Sequence, residues 1–204
     1  MSFMKNLLKT SALVGVSAGI GTAVTDPDSL WYKTRKKPAI QPPTIAFPIA
    51  WTALYASIAV ASAKAITAGQ KKAALEAPMA KIDLNPVADA KSRRRSKKEL
   101  KKALKDIKEH QDEAQADTES GKQVKAFKRA LVLNLILNTG WSALFWQGRN
   151  LKVAAIEAGA LAISSADLAR CAGKLDKVSG AMLIPYAGWT AFATVLSTRL
   201  EQVN

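Results

Sequence analysis

Four long runs without a single charged residue dominate this chain of 204 residues: 10–25, 38–63, 130–148 and 178–198. A bilayer core about 30 Å thick takes roughly 20 helical residues to cross. The last two runs fit that length directly. The second opens with an extended proline segment, so its spanning part is about 45–66. The first is short, but Lys5 and Lys9 at its start can snorkel to the interface. A fifth stretch, about 152–172, is interrupted by Glu157 and Asp167. The pattern predicts an all-α protein: a single domain over 1–204 built as a bundle of five transmembrane helices at about 5–25, 45–66, 128–148, 152–172 and 178–199.

Two alternatives fit less well. A soluble helical bundle needs a polar stripe at helical spacing, and "LVLNLILNTGWSALFW" and "VSGAMLIPYAGWTAFATVLST" carry no charged stripe. A cleaved signal peptide over 1–25 would use Lys5 and Lys9 as its basic region. "GTAVTD" is an indifferent cleavage site, however, and Gly15, Gly19 and Gly21 suit a helix that packs closely on neighbours.

Mean hydropathy is close to zero and the net charge is +14, an average over two unlike compositions. Residues 70–128 form a polar insertion between helices 2 and 3 that holds more than half of the 30 Lys and Arg and one aromatic residue, Phe127. All five Trp lie outside it. Pro78 and Pro86 precede a segment in which Leu100, Leu104 and Ile107 recur at spacings of four and three, the mark of a short amphipathic helix. Glu99, Asp106 and Glu109 interleave with lysines there.

Three readings of this partly helical or disordered insertion compete: a solvated loop, a segment drawn to anionic membrane lipids, and a nucleic-acid contact through "RRRSKK". No reader module surrounds that last motif, so no nucleic-acid partner is expected. The bias of Lys and Arg places the N-terminus and the 70–128 loop in the cytoplasm.

Chemistry-bearing motifs are sparse. Cys171 is the only cysteine and sits near a predicted helix end, where packing is its expected role. His110 has no neighbours at metal-ligand spacing, so no metal site is assigned. There is no glycine-rich phosphate loop and no nucleophile elbow. The residues by themselves nominate neither an enzyme nor a required cofactor.

The connection "DPDSLWYKTRKKPAIQPPT", 26–44, is stiff, because each proline fixes φ and removes a backbone donor. It can fold over the end of a bundle as a lid, with Trp31 and Tyr32 at interface depth. Pro48 falls in the first turns of helix 2, where a missing N–H costs little. Asn134 and Asn138, one helical turn apart, share a face and suit interhelical hydrogen bonds. Glu157, about one turn into helix 4, reads as a structural hydrogen-bonding group, with a proton relay as the alternative. Asp167 and Arg170 are spaced to pair. Gly15 with Gly19, or "AISSA" at 162–166, would serve a helix contact or a dimer face.

Three blocks carry a resemblance. "WYKTRKKPAIQPPTIAFPIAWTALY" presents Trp31, Tyr32, Lys37, Pro38, Pro42, Pro43, Pro48, Trp51, Leu54 and Tyr55. "NLILNTGWSALFW" presents Asn134, Asn138, Trp141, Ser142, Phe145 and Trp146, and "LIPYAGWTAFATVL" presents Pro185, Tyr186, Trp189, Phe192 and Leu196. Together they resemble the TspO/MBR family, the tryptophan-rich sensory and translocator proteins of the peripheral benzodiazepine receptor type, over about 1–66 and 128–200. The family usually joins helices 2 and 3 by a short connection, so 70–128 looks like an insertion. A Trp common between Lys-Pro and Pro-Pro is Ile40 here, and the sterol-recognition tyrosine of animal members has no counterpart in "VLSTRLEQVN".

The resemblance implies a five-helix bundle, often a homodimer, whose pocket opens under the first loop. Such a pocket binds porphyrins, that is haem-like tetrapyrroles, or other hydrophobic and sterol-like molecules. It implies ligand contacts at Trp31, Tyr32, Pro42, Pro43, Trp51, Tyr55, Asn134, Asn138, Trp141, Phe145, Tyr186, Trp189 and Phe192. Trp51, Trp141 and Trp189 lie on three helices; where they converge they form a flat-walled apolar cavity. The expected output is transport or stress signalling. The alternatives are light- or oxygen-dependent breakdown of bound porphyrin through Trp51 and Trp141, and a membrane scaffold that recruits lipid or protein partners through its basic loop. The expected location is a bacterial cell membrane rather than a mitochondrial one.

Overall fold

The computed structural model describes residues 2–77 and 97–204. Within them all regular structure is helical: α1 (Phe3–Val24), α2 (Leu30–Lys33), α3 (Ala46–Glu76), α4 (Lys97–Asp117), α5 (Glu119–Ser142), α6 (Leu151–Leu175) and α7 (Lys177–Gln202). A π-helical turn, Ala143–Gln147, ends α5. Helix α3 is central and packs against α1, α5, α6 and α7. The closest pair is α6 with α7. By length and composition three described helices, α1, α3 and α7, can each cross a membrane. Helix α6 is interrupted by Glu157, Asp167 and Arg170, and the first turns of α5 are charged.

Polarity runs opposite to that of a water-soluble bundle. The inward stripe of α1 is Asn6, Thr10, Val14, Ser17 and Gly21, while Leu8 is 66% exposed on its outer face. Helix α5 buries Asn134 and Asn138 and exposes Leu133 and Ile136. Helix α6 buries Ser165 and leaves Ile163 75% exposed. In water such an apolar exterior would drive association. In lipid it is the low-energy choice, and small and polar residues hold the helices together.

Local chemistry accounts for the helix ends. Asp176 stops α6 and caps α7: its carboxylate accepts from Ser179 N at 2.9 Å and from Ser179 Oγ at 2.6 Å. Pro48 is the third residue of α3, among the N–H groups that have no intrahelical partner. Pro185 lies inside α7 and denies a donor to the preceding turn. Ser57 Oγ of α3 donates to Met182 O in that turn at 2.8 Å, one residue past Ala181, whose carbonyl the missing N–H would have served.

Two boundaries differ from expectation. Helix α3 continues to Glu76 rather than ending near 66, and α5 begins at Glu119 rather than near 128. Residues 70–76 and 119–127 are therefore packed helix, not loop. Val124 and Phe127 are buried among apolar neighbours of the α3–α6 core, and a Cβ on Gly69 would collide with Val124 and Leu175. Glu76 accepts from Ser120 N at 3.0 Å and Ser120 Oγ at 2.6 Å, tying the end of α3 to the start of α5. These hydrogen bonds hold the Glu76 carboxyl below the usual carboxylate range.

The amphipathic segment is helical as α4, with Leu104 and Ile107 exposed. Pro78, Pro86 and most of "RRRSKK" lie outside the described residues. Asp167 pairs with Arg170 at 2.5 Å, and Cys171 packs against the core. Gly15 and Gly19 face outward, with nothing within 4 Å of an added Cβ; within this chain the close approach is at Gly21 instead, 3.4 Å from Ser142 Oγ. Ser165 of "AISSA" is buried against α5 rather than free on an outer face.

Candidate functional site

The lid segment is pinned to one end of the helices. Ser29 caps α2 by accepting from Tyr32 N, which directs Trp31 and Tyr32 onto the π turn. Trp31 meets Phe145 edge-on at 5.6 Å between ring centroids, and Tyr32 meets Trp146 at 4.8 Å. Trp141 stacks on Phe145 at 5.1 Å with planes 19° apart. The wider π turn, in which Gly148 N bonds Ala143 O at 3.0 Å, brings Phe145 and Trp146 both against the lid. Ala154, Leu151 and Leu200 close this group from α6 and α7.

Lys37 Nζ sits 3.0 Å from the Tyr32 ring centroid and donates to Tyr32 O at 2.5 Å. Burial, helped by nearby Arg35, pushes the Lys37 ammonium below the usual lysine range. Burial likewise pushes the Tyr32 phenol up, opposed by the hydrogen bond from Gln41 Nε2. Asn204 adds a clamp. Its side chain accepts from Lys36 N at 2.9 Å and donates to Lys36 O at 3.0 Å. Pro42 is half-buried and Pro43 exposed, and Pro43 O accepts from Ala46 N at the entry to α3.

A second group lies beside the first. Trp51 is 5.4 Å from Tyr55 and 6.4 Å from Tyr186. Trp189 contacts Phe47 at 6.1 Å and Phe192 at 5.7 Å. Beneath these rings runs a hydrogen-bond chain. Tyr55 donates to Asn138 Oδ1 at 2.6 Å, Asn138 Nδ2 to Tyr186 Oη at 3.4 Å, Tyr186 to Asn134 Oδ1 at 2.8 Å, and Asn134 Nδ2 to Ser165 Oγ at 3.0 Å. It joins α3, α5, α7 and α6, and gives Asn134 and Asn138 the interhelical role their spacing suggested.

The three tryptophans do not form one cluster. Trp141 belongs with Trp31, Tyr32 and Phe145, whereas Trp51 and Trp189 pack on the main core. The groups connect along α5, because Asn138, held by Tyr55, is one turn before Trp141. The result is a broken aromatic wall from α3 to the lid, its two groups bridged by the Tyr55–Asn138 hydrogen bond.

Glu157 departs from the structural role read for it. Both its carboxylate oxygens are buried and neither finds a hydrogen-bond partner. The Trp141 Nε1 donor is likewise buried without one. Gly140 of α5 faces the carboxylate: an added Cβ there would lie 3.9 Å from Glu157 Oε1. The acid was visible in the sequence, but its lack of partners was not. Phe47, the edge-on neighbour of Trp189, went unread because nothing in a single sequence shows which side chain meets it. Among the described residues no group of three metal-ligating side chains occurs.

Comparison with known proteins agrees with this architecture. Residues 10–86 and 109–203 match the model of the TspO/MBR family. Over 84 residues the chain is 36% identical to the tryptophan-rich protein TspO of Bacillus cereus. That match takes in 41% of this chain and 55% of the relative, so it spans little more than half the relative's length. The tryptophan-rich protein TspO of Chlorobaculum tepidum is 22% identical over 204 residues, 98% of each protein. With the family model covering most of the sequence, on helices that turn their apolar residues outward, this chain is a membrane protein that belongs to the TspO/MBR family.

Proposed function

We propose that the protein is a five-span receptor or carrier for a flat hydrophobic ligand of the tetrapyrrole class. The ligand lies along the aromatic wall beneath the 26–44 lid. The observation that carries this reading is the alignment of two aromatic groups along that wall: Trp51 and Tyr55 on α3, linked through Asn138 to Trp141 and Phe145, which meet Trp31 and Tyr32 of the lid. Indole and phenol faces stack on any extended π-system, and excluding water strengthens the contact. The polar chain below needs no ligand, because it satisfies itself. In this reading α5 and α6 complete the span set, and Glu157 and the buried asparagines face the interior, where polar groups in membranes belong.

The basic residues of the N-terminus and of the 70–128 stretch favour the cytoplasmic side for both. A bacterial cell membrane and a homodimer complete the proposal, with ligand transport or stress signalling as the output.

The test is a titration of detergent-purified protein with protoporphyrin IX in the dark, read by tryptophan fluorescence, beside a Trp51→Phe, Trp141→Phe variant. Saturable quenching that the variant weakens supports the reading. Quenching that never saturates, or is the same in the variant, means partition into the micelle and sinks it. Repeating the bound sample under illumination separates simple binding from breakdown of the porphyrin.

A further inference from the structure

Three of the four buried side-chain polar atoms that find no partner among the described residues belong to Glu157 and Trp141. They share one end of the molecule. Trp141 packs against the buried cluster of Phe145, Ala154 and Leu200, and Glu157 follows Ala154 by three residues on α6, opposite Gly140. A buried carboxyl without donors and a buried N–H without an acceptor are both costly. Native interiors rarely leave such groups unmatched, and where they do the group commonly has a task. Elsewhere this interior is careful: Asn134, Asn138, Ser165, Thr190 and Tyr186 are all bonded.

We infer that Glu157 and the Trp141 indole N–H form a polar subsite for a ligand that carries an N–H donor, best a protonated amine, on an otherwise flat apolar frame. The inference rests on the reading of the aromatic wall as a ligand site and names what its inner end recognises. The carboxylate accepts from the amine, Gly140 sets no side chain beside it, and the Trp141 indole N–H serves an acceptor atom on the same ligand. The aromatic faces of Trp141 and Phe145 hold the frame, and a cation beside them gains from their π-clouds as well. A ligand of the same shape without a donor leaves the carboxylate unmatched, and that is how a site built for a polar group discriminates.

The experiment uses the full chain in lipid nanodiscs, with empty nanodiscs subtracted, and reads tryptophan quenching by two flat tricyclic probes. One is 9-aminoacridine, a cation with N–H donors; the other is anthracene, which has neither. Glu157→Gln is expected to weaken 9-aminoacridine by about tenfold or more, the worth of a hydrogen bond to a charged group, and to leave anthracene unchanged. Equal effects on both probes, or none on either, overturn the inference.

Should Glu157→Gln fail to fold, Gly140→Ala decides. It narrows the space beside the carboxylate at an ordinary contact distance, and unchanged 9-aminoacridine affinity overturns the inference. Protoporphyrin IX titrated on the same samples keeps the two readings apart. Porphyrin binding without amine selectivity refutes the subsite alone, and amine selectivity without porphyrin binding refutes the tetrapyrrole reading alone.

Discussion

The Tyr186 hydroxyl, fully buried on α7, donates to Asn134 Oδ1 on α5 at 2.8 Å, and Tyr186 Oη itself accepts from Asn138 Nδ2 at 3.4 Å. One phenol thus serves two asparagines on consecutive turns of another helix. Tyr186→Phe keeps the shape and strands Asn134 Oδ1 and Asn138 Nδ2. The expected loss is about 1–2 kcal/mol, since interhelical hydrogen bonds in membranes are modest but an orphaned partner adds its own cost. Thermal unfolding in detergent should show a lower Tm. In an Asn134→Leu background the same change should cost clearly less, because the two residues are coupled.

Gly173 and Gly180 face each other where α6 meets α7, but their tolerances are unequal. A Cβ on Gly180 would lie 2.7 Å from Gly173 Cα and 2.9 Å from Gly173 N, whereas a Cβ on Gly173 would rest 3.9 Å from Gly180 Cα. Backbone cannot step aside as a flexible side chain can. Gly180→Ala should therefore destabilise by about 1–3 kcal/mol, the usual range for overpacking. Gly173→Ala should be near neutral, and comparing the two melting curves checks the asymmetry.

Asp176, in the turn between α6 and α7, is held below the ordinary Asp value of about 3.9, chiefly by the Ser179 hydroxyl, with help from Lys64 at 3.7 Å. A depressed carboxylate stabilises the fold fully above its unfolded value and loses that contribution as pH falls through the folded one. The α6–α7 turn should thus loosen below about pH 4. The protection factors of the amides at 176–180, taken against the intrinsic exchange rate at each pH, should fall in acid. In Asp176→Asn that acid step should vanish.

Asn204 holds the lid by binding both the N–H and the C=O of Lys36, while its Nδ2 also reaches Leu200 O at 2.8 Å. Asn204→Ala removes all three bonds without touching the aromatic wall. Exchange of the Lys36 amide should rise several-fold, on the order of one kcal/mol of lost local protection. An unchanged rate would show that Trp31 and Tyr32 hold the lid alone.

The helices were legible for a simple reason: uncharged runs of sufficient length have few other solutions. The asparagine pair was legible too, because one turn of spacing puts both on one face. The extensions of α3 and α5 were hidden, since "KKAALE" and "ESGKQVKAF" look solvated. Only the pairing of Val124 and Phe127 with the α3–α6 core shows them to be packed. The split of the tryptophans into two groups was equally out of reach. It depends on the π turn, which rotates Phe145 and Trp146 toward the lid and draws Trp141 after them. Glu157 was in plain view, but an empty hydrogen-bond shell is a property of neighbours.

The Glu76–Ser120 junction sets a height. Helix α3 runs some ten residues past the length a bilayer needs, and α5 begins correspondingly early, so the two make a post about 15 Å tall. Mobile ions at physiological strength extinguish an exposed charge's influence within about 8 Å. In the five-span arrangement proposed above, roughly half of that height lies among the headgroups, so the Glu76–Ser120 junction stands about one such length beyond them. A charge at that level feels the lipid surface only weakly.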